Sequence, residues 1–382
     1  MKTKKKFFKT NRIILILVLA VIVVVCFVIS INTFSVEQIR KSYMTEDAGG
    51  QSSDGFIVVG MSQVGSESVW RSANTNSIKK AISRDNGFFL RFSNARQKQE
   101  NQIKTVREYI SQKVDVIAIA PVTATGWDTV LQEAKDAGIP VVITDRQIET
   151  SDPSLYTAFV GTNMYEEGMR AGQWLEENLE EKAELAALGL EEDEFIDESD
   201  AALAENLDEV QDEIELPVVN IFVLEGTEGS TAQIDRSAGF EAVAKQHPEW
   251  NILGTADADF TTSKAEEVMN EVLDEYEDID IIVSQNDDMT FGVISALDAR
   301  GITHGPDGDV TIISFDAVRD GLVLVRDGKI DVDVECNPVQ GDMLASVIKA
   351  IVRGRDYEKI NYIDDNVFTI NNVNAYINTR LY

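Results

Sequence analysis

The chain has 382 residues with an ordinary 44% hydrophobic and 26% charged content, enough for two modest cores. Its 34 basic and 66 acidic residues leave a net charge of -32, which repels nucleic-acid phosphates and argues against a DNA or RNA partner. Two His and two Cys fall short of a zinc site's ligand count and spacing, and no metal or organic cofactor is expected.

In chain order, residues 1–12 form a basic segment (Lys2, Lys4, Lys5, Lys6, Lys9 and Arg12) ahead of the apolar run "IILILVLAVIVVVCFVI". A run of this length crosses a bilayer as one helix, and the excess of basic residues before it orients the N-terminus to the cytoplasm. Residues 13–31 are therefore predicted to be a transmembrane anchor. A cleaved signal would have a shorter core and a small-residue site, and lipidation at Cys26 would follow Gly, Ala or Ser where this chain has Val25. Either way the bulk of the chain lies outside the cytoplasm. Residues 32–55 are polar, with a Gly/Ser-rich end, and read as a flexible tether. Cys26 in the span and Cys336 in the folded part make no internal disulfide.

Beyond the tether, strand-like runs follow one another: "FIVVGMS", "FFLRFS", "DVIAIAP", "PVVITD", "YTAFVG", "PVVNIFVLEG", "IDIIVSQND", "DVTIISFD" and "KIDVDVE". Most are near-continuous apolar stretches, as expected of strands buried on both faces. Helical spacing separates them; in "QKQENQIKTVREYISQKV", Ile103, Val106, Ile110 and Val114 make one stripe. This alternation predicts an α/β fold with parallel sheets, and some ten strands fit two Rossmann-like lobes better than one sheet. Residues 176–216 break the pattern with eighteen acidic residues and Lys182 as the one basic one. They read as a solvated insertion, with a docking surface or a weak divalent-cation sink as the sharper alternative; no EF-hand spacing is present.

Catalytic signatures are missing. "GMSQVG" has its second Gly one residue too late for a nucleophile elbow, and "GTEGST" lacks the Lys and spacing of a P-loop. His247 and His304 sit in turn-like contexts and do not suggest a triad. Polar residues instead recur at the carboxyl ends of the apolar strands: Glu67, Trp70 and Arg71; Asp145 and Arg146; Asp235 and Arg236; Asn286, Asp287 and Asp288; and Asp316. Ligands of open α/β sheets bind there. Arg, Asn and Asp suit bidentate recognition of neighbouring hydroxyls, and Trp offers a flat apolar face to a sugar ring. Each residue also has a local reading. Asn286 and Asp316 as helix caps, Asp145–Arg146 as an interlobe salt bridge, Asp235–Arg236 as a local helix-start pair, and Trp70 as core packing all stay open.

The segments "VGMSQVGSESVWR", "QKQENQIKTVREYI", "IAPVTATGW", "EAKDAGIPVVITDR", "IDRSAGF", "ADFTTSKAEEVM" and "QNDDM" resemble the ribose/galactose-type periplasmic binding proteins of ABC sugar importers, above all their galactofuranose-binding members. The resemblance spans about 57–336. It implies two lobes joined by a three-strand hinge: lobe 1 from 56–145 plus about 337–363, and lobe 2 from 146–336 plus about 364–382. It further implies that Glu67, Trp70 and Arg71 contact a monosaccharide from lobe 1, with Asp145 and Arg146 at the crossover. Arg236, Asn286 and Asp316 would close from lobe 2, Phe260 would supply a second flat face, and a polar contact would come from Glu335 or Asn337. The acidic insertion, the long anchor and the tail after about 357 depart from the family pattern. The implied function is delivery of the sugar by a monomer to ABC permease subunits, through hinged closure. A membrane-tethered co-receptor for a histidine kinase or chemoreceptor is the alternative. A repressor would need a helix-turn-helix and a basic face, and an enzyme acting on the sugar has no residue signature here. Arg71→Ala and Arg236→Ala are expected to abolish binding without affecting folding.

Overall fold

The computed structural model describes residues 55–189, 216–380 and 382. The anchor at 13–31, the tether and most of the acidic insertion lie outside the described residues. Among the described residues no helix is long and apolar enough to cross a membrane.

The first lobe alternates β1 (Ile57–Gln63), α1 (Val69–Ala81), β2 (Phe88–Asn94), α2 (Gln99–Ser111), β3 (Val116–Ile119), α3 (Asp128–Asp136), β4 (Val141–Thr144) and β5 (Ala158–Gly161). The chain then crosses to a second lobe of α4 (Met164–Leu188), β6 (Val219–Glu225), α5 (Thr231–Ala244), β7 (Trp250–Asp257), α6 (Thr262–Glu275), β8 (Ile281–Ser284), α7 (Asp287–Arg300), β9 (Thr311–Asp316), α8 (Arg319–Arg326) and β10 (Val332–Glu335). It returns for α9 (Gly341–Val352) and β11 (Ile360–Tyr362), and crosses once more to β12 (Val367–Phe368) and α10 (Val373–Tyr376). The sheet orders are β11-β5-β4-β3-β1-β2 and β12-β10-β9-β8-β6-β7. All pairs are parallel except β10–β12.

Both faces of each sheet are buried, which is why the strands read as continuous apolar runs. In lobe 1, Val59, Met61, Val116 and Ala118 face Ile78, Leu344 and Ile348. Their alternates Val58, Ile117, Ile119 and Ile143 face Val106, Tyr109 and Trp127. Side chains of α2 also hold strand ends in place: the Tyr109 hydroxyl donates to the Met61 carbonyl at 2.9 Å, and Gln102 bonds the backbone of Ala120 and Val122.

Several expectations need correction. The first lobe boundary is not at 145/146, because β5 pairs with β4 and belongs to the first sheet. The crossing is at 162–163, just before the Asn163 cap of α4. The acidic segment is not set apart as an insertion at residue 176. The helix α4 runs on to Leu188 and buries Leu179 and Leu185, so its acidic residues sit on the outer face of a packed helix. Val114 falls beyond α2, after Lys113 in a left-handed turn, although it is buried. His304 is buried, with Nδ1 at 2.7 Å from the Lys329 carbonyl, and is not a surface residue. The strands β7, β11 and β12 were not predicted.

Candidate functional site

Between the lobes lies a narrow, polar cavity. Its walls include Glu67, Trp70, Arg71, Asp145, Arg146, Arg236, Phe260, Asn286 and Asp316. Nine of the ten sequence-predicted residues thus meet at one place. Backbone geometry helps to aim them: Asp145, Phe260 and Asp316 have φ of 67°, 57° and 99°, a region that L residues other than Asn and Asp enter at a cost.

The lobe-1 wall is built on Arg71. Ser68 caps α1 by accepting the Arg71 amide, which places Trp70 and Arg71 in the first turn. The Arg71 guanidinium donates to Glu67 at 3.0 Å and to Asp145 at 2.5 Å, all three side chains being buried. Burial opposes its charge, but Asp145 and Glu67 more than offset this and raise its pKa. Glu67 is likewise pushed up by burial and pulled down further by Arg71 and Arg146, so it stays below its usual range. Arg146 lies over the Phe260 ring, 5.1 Å from its centroid. Burial and the neighbouring Arg71 bring its pKa down to about 10, so it remains a cation at neutral pH. Two buried atoms on this wall, Glu67 Oε2 and Arg146 Nε, have no hydrogen-bond partner within the protein.

The lobe-2 wall centres on Arg236, which donates to Glu167 at 2.8 Å, to Asp316 at 3.1 Å and to the Gln285 carbonyl. Burial pushes Asp316 up to about 7, with Arg236 pulling down and Glu167 pushing up. Asn286 lines the cavity while also capping α7 by accepting the Met289 amide, so the helix-cap reading holds for a residue that also faces the cleft. Trp70 likewise combines two readings. It lines the cavity, packs with the lobe-2 residues Met164 and Phe260, and donates its indole N–H to the Cys336 carbonyl.

Asn337 is the exception. Its side chain accepts the Val339 amide within its own turn, and its amide donates to Asp365. Glu335 is held by Asn366, Arg380 and Tyr382. Neither lines the cavity; the neighbouring Cys336 does, because the chain leaves β10 with alternating side chains and presents 336 to the cleft. Sequence reasoning also missed Met164, Ala232 and Glu167. Glu167, 1% exposed, gives no sign in the sequence beyond an acidic residue in a helix's first turn.

The crossovers meet beside the site. Thr162 bonds Glu167 at 2.6 Å and lies 3.3 Å from the Cys336 sulfur, and Asp365 accepts from the Asn337 amide. Among the described residues no cluster of three or more metal-ligating side chains occurs.

Comparison with known proteins matches residues 58–356 to the periplasmic binding protein domain. The galactofuranose-binding protein YtfQ of Escherichia coli is 36% identical over 285 residues, 74% of this chain and 78% of its own. A solved Mycobacterium smegmatis protein in complex with β-D-fucofuranose is 37% identical with a TM-score of 0.71, covering 84% of this chain and 93% of that one. The binding component of the arabinose ABC transporter from Shewanella sp. ANA-3, bound to α- and β-L-arabinofuranose, is 36% identical with a TM-score of 0.70, covering 85% and 95%. Two doubly wound lobes, a triple crossover and a polar cleft between them accord with that match: the chain belongs to the periplasmic binding protein family.

Proposed function

We propose that this chain is an extracytoplasmic binding protein for a monosaccharide in its furanose ring form, which it delivers to an ABC importer by hinged closure. The observation that carries the reading is the pair of buried, unpartnered atoms on the cavity wall, a carboxylate oxygen of Glu67 and an N–H of Arg146. An unpaired buried polar group costs about 1–3 kcal/mol, and sugar hydroxyls, which both donate and accept, suit an unpaired acceptor and an unpaired donor alike. Three Arg against Glu67, Asp145 and Asp316, with Glu167 behind, leave no excess of positive charge for an anionic ligand. Trp70 and Phe260 supply the apolar faces that ring C–H groups need.

The ring form rests on the relatives: the three described above carry galactofuranose, fucofuranose or arabinofuranose in their names. Residues 13–31 would tether the protein to the outer face of the cell membrane. The site binds without turnover, since no residue pair in it forms a nucleophile with its base.

A thermal-shift screen of the purified protein against pentoses, hexopyranoses and furanose-forming hexoses tests this. A ligand selective for the native state raises the melting temperature. A rise with a furanose-forming sugar is expected, and no shift with any saccharide contradicts the reading. Affinity capture of the membrane partner separates delivery from sensing: permease subunits are expected, and a histidine kinase alone would favour the co-receptor.

A further inference from the structure

Charge is unevenly shared between the lobes. Lobe 1, residues 56–161 and 337–363, carries 16 basic and 14 acidic residues, so the acidic excess of the chain lies in lobe 2. Within lobe 1 the basic residues gather at one place. Residues 72–99, which run from α1 through the edge strand β2, hold Lys79, Lys80, Arg84, Arg91, Arg96 and Lys98 against Asp85 alone. Lys79 lies 4.1 Å from the centroid of the Phe92 ring, and Arg84 and Arg91 lie 5.5 and 5.9 Å from that of Phe89. Phe89, Leu90 and Phe92 are half-buried, and every cation of the group except Arg91 is exposed.

The fold does not require this. The counterpart in lobe 2, α5 with the edge strand β7, spans residues 233–260 and carries five acidic residues and two basic ones. A need for cations against pairing with a foreign strand would apply equally to both edges. The chain also enters lobe 1 at this face. The Ile57 amide donates to the Gly87 carbonyl at 3.0 Å, in the turn between α1 and β2 that holds Arg84.

We propose that this face, the last turn of α1 with β2, docks on an anionic lipid surface, the membrane to which residues 13–31 would tether the chain. The proposal rests on that tether. Flexible chain of the length of 32–55 spans about 25–30 Å, which keeps the face within reach of the membrane. Basic residues are drawn to anionic headgroups over a Debye length, about 8 Å at physiological salt. The half-buried Phe89, Leu90 and Phe92 add apolar area for the headgroup boundary. The same surface repels lobe 2, so docking holds lobe 1 inward and the acidic lobe outward.

The full chain, reconstituted through its own anchor into phosphatidylcholine vesicles with and without phosphatidylglycerol, tests this. Flotation with pure phosphatidylcholine vesicles in molar NaCl reports the anchor. Acetylation of lysines by a water-soluble reagent, read by mass spectrometry, reports the face. Phosphatidylglycerol is expected to lower the labelling of Lys79 and Lys80 several-fold, with recovery in molar NaCl. Lys245 of lobe 2, its side chain 73% exposed, should not change. Arg84→Glu combined with Lys98→Glu should abolish the fall and leave the melting temperature unchanged. Equal labelling in both kinds of vesicle, or a fall that survives the double substitution, overturns the proposal. So does a fall in pure phosphatidylcholine that grows with protein density, which marks a contact between copies. Loss of flotation removes the tether and this proposal with it, leaving the sugar reading intact. Flotation without protection removes the docking face alone.

Discussion

Arg71 and Arg236 each bridge two buried carboxylates, which makes them structural as well as functional. Truncating either strands its partners as uncompensated buried charges, at about 3–5 kcal/mol. The expectation that Arg71→Ala and Arg236→Ala leave folding intact is therefore withdrawn: each should lower the melting temperature measurably as well as weaken binding. Arg146 is the opposite case. Its Nε is unpartnered, its ion pair with Asp145 is 3.9 Å long, and burial pulls its pKa down. Arg146→Ala should leave the melting temperature unchanged or raised, while sugar affinity falls by about 1.5–3 kcal/mol, one charge-assisted hydrogen bond, in calorimetry. A large loss of stability in this variant would show that the protein itself compensates the charge. The sequence exposed all three arginines as polar strand-end residues, but not which of them the fold already uses. For Arg236 that depended on Glu167, distant in sequence and anonymous in composition.

At the scale of elements, the Arg236–Glu167 pair exists because α4 and α5 cross at close range. A Cβ on Gly168 would lie 2.1 Å from the Arg236 carbonyl oxygen, and one on Gly239 would lie 2.1 Å from that of Tyr165. Gly168→Val should force the helices apart, separate Glu167 from Arg236, and reduce both melting temperature and binding. A variant with unchanged stability and affinity would contradict the packing argument. Gly226, at the end of β6, leaves room for Phe260 in the same way, since a Cβ there would sit within 1.8 Å of the ring. Central strands were legible because burial on both faces demands apolar runs. The strand β7, "WNILGTAD", mixes exposed and half-buried residues at a sheet edge, while β11 and β12 span three and two residues. Edges carry too little hydrophobic pattern to be seen. The start of the acidic segment, 176–188, continues α4, and its charge hid that continuity although Leu179 and Leu185 are buried.

Over the whole molecule, the two-lobe division followed from strand number and alternation, whereas the crossovers came from family resemblance, and the first was placed about seventeen residues too early. Nothing local distinguishes β5 from a lobe-2 strand; only its pairing with β4 does. Global burial also gathers carboxyls that no pattern announces. Burial pushes Asp333 up to about 8 beside Asp287, Asp316 up to about 7, and Asp365 up to about 9 near Glu167. Groups raised in this way favour the folded state most fully below their unfolded value near 4, and that contribution is lost as pH rises through 7 to 9. Melting temperature should therefore fall between pH 6 and pH 9, and less steeply in Asp333→Asn. A flat or rising profile would mean that these carboxyls are not buried together. Isothermal calorimetry with paired methyl glycosides, which lock the ring size, tests the proposed preference for a furanose most directly. The methyl furanoside of galactose, fucose or arabinose should bind at about micromolar affinity or better, with its pyranoside much weaker; equal or tighter binding of the pyranoside, or no heat from either, would contradict it.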